Sequence, residues 1–194
     1  MVEPSRLLPA LAPLVSRYET LDVCEATVFG LLPDLTLGYF NTGWLAFAAA
    51  NGLPAVSERW GLGCAIADAI RGPVRDYYLE QYRASLERAQ PWEHRYECSS
   101  AERRREMILR TYPGREGLLV VTSAVIDVPH EREASSPANT YRDPETQLLR
   151  QCGHCRRFHH SASRWDWVPA WVAAPPERIT HGLCELCFEH YYPA

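Results

Sequence analysis

Two cysteine pairs near the end of the chain are the residues best able to do chemistry: Cys152 and Cys155 in CGHCRRFHH, then Cys184 and Cys187 in HGLCELC. A CxxC turn lets both sulfurs reach one ion, and four thiolates close a tetrahedral shell around Zn²⁺. The 28 residues between Cys155 and Cys184 must fold back for the pairs to meet, so WDWVPAWV is expected as strand or loop rather than a bare turn. Metal binding would supply folding energy that residues 151–194 lack in apolar burial.

Five of the seven histidines follow residue 150. Of His154, His159, His160 and His181, the last is the best candidate to replace a cysteine or to support one by hydrogen bonding. With four cysteines complete, the shell is closed and offers no open position to a substrate. A structural ion is therefore expected, with Glu185, inside the second pair, facing water. Two other readings use the same cysteines. One is a thiol redox switch or oxidoreductase, although neither pair lies in an evident βαβ unit. The other is a transcription-linked zinc protein. Against it, residues 151–194 carry four arginines (156, 157, 164, 178) and four acids (166, 177, 185, 189), so the basic footprint of a nucleic-acid binder is missing.

Composition narrows the function further. All 20 basic residues are arginine, which excludes Schiff-base chemistry and a GxxxxGK[ST] phosphate loop. The sequence contains no GxSxG, HExxH or glycine-rich phosphate loop, so a protein that acts by binding rather than catalysis is expected. Seven cysteines, an odd count, do not suggest a disulfide framework. Cys24, Cys64 and Cys98 read as small buried hydrophobes. The early apolar stretch LLPALAPLV is too short to span a membrane and is broken by Pro9 and Pro13; a cytoplasmic protein without a membrane segment is the expectation.

Patterning divides the chain into an N-terminal amphipathic helix within 1–21, a domain over 22–128, a polar linker over 129–150 and the cysteine module over 151–194. Leu7, Leu8, Leu11, Leu14, Val15 and Tyr18 recur at helical spacing over 5–20, and their apolar face needs a cover, which a second copy of the chain could provide. CEATVFGLLPD and LTLGYFN predict a hairpin about Pro33-Asp34. Asn41 can cap a helix that ends at Asn51-Gly52. Residues 73–89 predict the longest helix, and three strands follow in WEHRYECSS, RREMILRTYP and GLLVVTSAVIDV.

Two strands, a cluster of helices ending in a long one, then three antiparallel strands resembles the order of a PAS sensor domain. GLLPDLTLGYFNTGWLAFAAANG is similar to the opening of many PAS domains, and WEHRYECSS through GLLVVTSAVIDV to their last three strands. The resemblance implies an α+β fold, a five-stranded antiparallel sheet with helices on one face. It also implies a ligand pocket between sheet and helices, for which Trp44, Phe47, Trp60, Tyr77, Tyr78 and Trp92 are candidate lining residues; the ligand is not specified. His94, the one histidine before residue 130, is expected at the surface or hydrogen-bonded rather than on a haem. Residues 152–193 resemble a short module found after PAS and receiver domains in bacterial signalling proteins, through Cys152 to Cys155, Arg156-Arg157, Trp167-Val168, His181-Gly182, Cys184 to Cys187 and Tyr192-Pro193. The tryptophan-rich SASRWDW departs from that pattern, and no kinase or receiver domain accompanies it. Together the resemblances imply a bacterial cytoplasmic signal-transduction protein with a zinc-ribbon-like module, a structural zinc and an unspecified signalling partner.

Overall fold

The computed structural model describes residues 6–70, 72–129, 141–161 and 163–193. The chain forms two compact units. The first takes in the chain up to Ile70, Arg75–Tyr96 and Met107–Ala124; the second takes in residues 72–74, Glu97–Glu106 and the chain from Val125 onward.

The expected α+β architecture is present, with most of its sheet in the first unit. A five-stranded antiparallel sheet has the order β2-β1-β5-β4-β3, with β1 Thr27–Leu31, β2 Leu37–Phe40, β3 Glu93–Glu97, β4 Arg103–Pro113 and β5 Leu118–Pro129. Every residue of β1 is buried, as expected of a central strand covered on both faces. Its register with β5 runs from Thr27↔Thr122 to Leu31↔Leu118. Between β2 and β3 lie α2 Thr42–Ala50, α3 Val56–Arg59, α4 Ile66–Ala69 and α5 Arg75–Arg88, the long helix that the sequence predicts.

Two polar side chains fix the start of this unit. Asp34 holds the β1–β2 turn, accepting from the Thr36 amide at 2.9 Å and the Thr36 hydroxyl at 2.7 Å. Asn41 is fully buried and caps α2. Its Oδ1 accepts from the amides of Val28 at 2.9 Å and Trp44 at 2.8 Å, while Nδ2 donates to the carbonyls of Leu21, Cys24 and Ala26. Burial of the amide is thus matched by a full set of partners. The turn into α2 also passes close to other backbone, and a Cβ on Gly43 would sit 2.4 Å from the Ala26 carbonyl oxygen.

The N-terminal segment departs from expectation. Instead of a helix over 5–20, Pro9–Leu11 form a 3₁₀ turn that leads into α1, Ala12–Val15. Leu8, before Pro9, is extended, and Pro9 and Pro13 supply no amide hydrogens to continue a preceding helix, so each falls in the first turn of a short element. The apolar face is covered by the chain's own sheet: Leu11, Leu14 and Val15 pack with Val28, Tyr39 and Leu119. Leu7 and Leu8 of the same stripe are half-buried, and Tyr18 is exposed.

The second unit has a four-stranded sheet of order β8-β7-β6-β9, with β6 Leu149–Cys152, β7 Phe158–Ser161, β8 Arg164–Asp166 and β9 Ile179–Gly182. Pro169–Ala173 form α6, and Glu185–Tyr191 form α7. Tyr141, Leu149, Phe158 and Val168 make a small core. The expected linker over 129–150 is therefore shorter at its far end. Residues 130–140 lie outside the described residues, but Tyr141 is buried and its hydroxyl donates to Asp166 at 2.8 Å, and β6 already begins at Leu149.

Candidate metal centre

Parallel pairing of β6 and β9 brings the two cysteine pairs together. The register sets Cys152 opposite Gly182, so each strand runs out into its own CxxC turn at the same end of the sheet. The first turn closes when the Cys152 amide donates to the Arg157 carbonyl at 2.8 Å and the Arg156 amide donates to the Cys152 carbonyl at 3.1 Å. Arg156 takes a left-handed φ of 62° to permit this. The second turn is the start of α7: Cys184 sits at its N-cap and Cys187 within it. The Gly153 amide donates to the Gly182 carbonyl at 2.8 Å and links the two turns.

All four cysteines are buried, at 1%, 2%, 3% and 7% exposure for 152, 155, 184 and 187. Their sulfurs lie within 4.8 Å of one another, and Cys155 Sγ is 3.8 Å from Cys184 Sγ. A tetrahedral ion with metal–sulfur bonds of about 2.3 Å sets its sulfurs about 3.8 Å apart. A disulfide would need about 2.05 Å. The donor set and spacing therefore fit a thiophilic metal ion.

The four thiols lie close enough to shift one another's protonation. Hydrogen bonds from Cys155, and then from Cys184 and Cys187, push Cys152 down to the thiolate. Cys155 and Cys187 are pushed up because each is tied first to Cys152. The contact with Cys152 also raises Cys184, but those with Cys155 and Cys187 outweigh it and leave the thiol at about 7. A divalent ion removes the conflict by making four thiolates favourable at once.

The surroundings suit such a charge. Burial works against the charge of Arg157, but Cys155 and Glu97 outweigh it and hold the guanidinium charged beside the sulfurs. His154, between the first two cysteines, is not aimed at an ion. Its Nε2 accepts from the Glu97 amide at 3.3 Å, and Nδ1 lies 2.7 Å from the Tyr191 hydroxyl at the end of α7. Burial lowers its pKa, which keeps the ring neutral, with Nδ1 carrying the proton and donating. Trp165 and Leu183 pack against the sulfurs, and Trp165 Nε1 donates to Glu185 Oε2 at 2.9 Å.

Among the described residues the metal-donor group consists of the four cysteines and does not include His181. The exposed His181 ring instead meets Gln151 Oε1 at 3.1 Å, and Gln151 in turn donates to the Arg156 carbonyl at 3.3 Å. His181 thus touches the cysteine turn through one intermediary. Sequence reasoning missed Trp165, Gln151 and Tyr191, because what places them at the cluster is strand pairing and helix packing rather than spacing.

The candidate pocket residues of the first unit divide. Tyr77, Tyr78 and Trp92 come together with Tyr82 and His94, with Tyr78–Trp92 ring centroids 5.9 Å apart and Trp92–His94 5.3 Å apart. His94 is buried and stacked between Trp92 and Tyr96 rather than on the surface. Trp44 makes its ring contact with Phe40 at 4.8 Å, and Trp60 lies under Arg59. Phe47 is half-buried on α2. Cys24, Cys64 and Cys98 are half-buried, and burial pushes the Cys98 thiol up. The basic run 103–105 is neutralised within the second unit's residues: Arg103 and Arg105 reach Asp127, and Arg104 reaches Glu106. No helix among the described residues is long and apolar enough to cross a membrane.

No family model matches the chain, and no curated protein matches it. Several solved structures show a likeness, two of which follow. A domain of an HTR-like protein from Haloarcula marismortui matches at 12% identity and TM-score 0.39, over 53% of this chain and 100% of that one. The PAS domain of a protein from Colwellia psychrerythraea matches at 12% identity and TM-score 0.41, over 58% of this chain and 97% of that one. Likenesses this faint bear no weight, and the functional reading rests on the sheet and the four cysteines.

Proposed function

We propose that the chain is a cytoplasmic signal-transduction protein that acts by binding, in which a PAS-like unit is joined to a module folded around one structural zinc. The observation that carries the reading is the buried set of Cys152, Cys155, Cys184 and Cys187, with sulfurs within 4.8 Å of one another. Zinc is the ion of choice because four cysteines in paired CxxC turns are its commonest structural shell, and because a closed shell asks for no redox chemistry or open site. Thiols retained as metal ligands fit a reducing compartment. On this reading the PAS-like unit meets a ligand or protein, and the zinc module offers a rigid surface to the next protein in the signal.

The test is elemental mass spectrometry on untagged protein purified without chelators. The reading expects about one zinc per chain, retained through gel filtration and lost when Cys184 and Cys187 are replaced by serine. Metal-free protein with reactive, reversibly oxidised thiols would replace it with the redox-switch reading.

A further inference from the structure

A second site lies on the four-stranded sheet, and no cysteine lines it. In the parallel β6–β9 pair Arg150 stands opposite Thr180. In the antiparallel β6–β7 pair Gln151 stands opposite Phe158, which sets Arg150 opposite His159, and His159 in turn stands opposite Trp165 of β8. Thr180, Arg150, His159 and Trp165 therefore form one row across all four strands, and directly opposed residues share a face. Leu149 and Gln151, on either side of Arg150, are buried, so this row looks outward. The Arg150 guanidinium lies over the Trp165 ring, 5.4 Å from its centroid, which restrains it. Arg142 and Thr146, from the turn before β6, line the same cleft together with His160, enclosing about 380 Å³.

The fixed charge of this cleft is net positive. Arg142 and Arg150 line it against a single carboxylate, that of Asp143, with the rings of His159 and His160 beside them. Asp143 Oδ1 accepts from the Glu145 amide at 3.1 Å, the Thr146 amide at 2.7 Å and the Thr146 hydroxyl at 2.9 Å, and the carboxylate also feels the charge of Arg150. Arg142 gives one N–H to the Gln147 carbonyl at 2.8 Å, and among the described residues neither arginine forms an ion pair. In a chain of net charge −4 this is not background.

We propose that this cleft binds a phosphate monoester dianion, with Arg142 and Arg150 as its charge partners and Thr180 and His159 as hydrogen-bond donors. Two permanent charges brought from different elements suit a doubly charged tetrahedral group, which offers oxygens in several directions, better than a flat carboxylate. No group of the cysteine turns lines this cleft, but β6 and β9 run directly into those turns, so the site is tested on the metal-loaded protein.

The experiment titrates the metal-loaded, full-length protein with inorganic phosphate, then with phosphoserine and AMP, at constant ionic strength set with chloride. Binding is followed by tryptophan fluorescence and by amide chemical shifts. The expected result is saturable binding with shifts centred on Arg150, His159 and Thr180. Arg150→Ala weakens it about tenfold, and Arg150→Lys less, because lysine keeps the charge without the fork. Arg142→Ala is the second variant, and both must keep the wild-type unfolding midpoint and metal content. Tighter binding of phosphoserine than AMP points to a phosphorylated side chain as the source, and the reverse order to a nucleotide. Failure of all three probes to saturate, shifts centred elsewhere, or undiminished binding by both alanine variants would overturn the proposal.

Discussion

In the first unit, Leu11, Leu14 and Val15 are pressed against Val28, Tyr39 and Leu119 of β1, β2 and β5, and every residue of β1 is buried. In the second unit the apolar core is Tyr141, Leu149, Phe158 and Val168, and beside it stand four sulfurs. The first unit spreads its stability over many contacts, none of them indispensable. The second concentrates it at one point, where loss of a single partner is felt by β6, β9 and α7 together. A small sheet can thus present an open, charged face, since its fold does not depend on burying that face.

Metal removal should divide the two units most sharply. A strong chelator takes away on the order of 10 kcal/mol from a Cys₄ module. Amide signals from 149–193 are expected to collapse toward random-coil positions while those of β1, β2 and α5 persist. If both sets of signals survive chelation, the contrast fails. Leu119→Ala should act in the opposite sense, destabilising the first unit by about 2–5 kcal/mol and leaving the metal content at its wild-type value. Denaturant unfolding alongside elemental analysis checks both halves.

Asn41→Ala comes next. It removes the α2 cap and takes a donor from the part-buried carbonyls of Leu21, Cys24 and Ala26, at a cost of about 2–3 kcal/mol, readable as a lower unfolding midpoint of the first unit alone. Trp165→Phe keeps a ring against the sulfurs but loses the hydrogen bond to Glu185. A loss of about 1 kcal/mol and a severalfold faster transfer of zinc to a chelating dye are expected.

Acid should bring the smallest change. Burial alone would raise Asp166, but hydrogen bonds from Arg164 and Tyr141 outweigh it and hold its carboxyl below the usual range. A lowered folded pKa contributes stability above the ordinary aspartate value of about 3.9 and loses it as pH falls through the folded value. Asp166→Asn is expected to flatten the acid limb of the second unit's stability curve without affecting the first unit.

Much of the first unit was legible because its signals are local. Asn41 announces the start of α2, Pro73 precedes α5, and alternating β-branched and aromatic runs mark β1, β4 and β5. The N-terminal helix was overdrawn because apolar spacing outweighed Pro9 and Pro13, whose missing amide hydrogens break the run. In the second unit the four cysteines could be read from spacing alone. Tyr141 could not, since a lone aromatic in a polar stretch gives no period. The row Thr180–Arg150–His159–Trp165 was equally hidden, because it exists only through the register of four short strands, one of them paired in parallel.

The central claim is that four cysteines and one zinc fold the second unit, and X-ray absorption at the zinc edge tests it most directly. The account expects four sulfur neighbours at about 2.3 Å and no nitrogen. A shell with nitrogen at about 2.0 Å would mean that a histidine such as His181 has displaced a cysteine, and would contradict the site described for this protein.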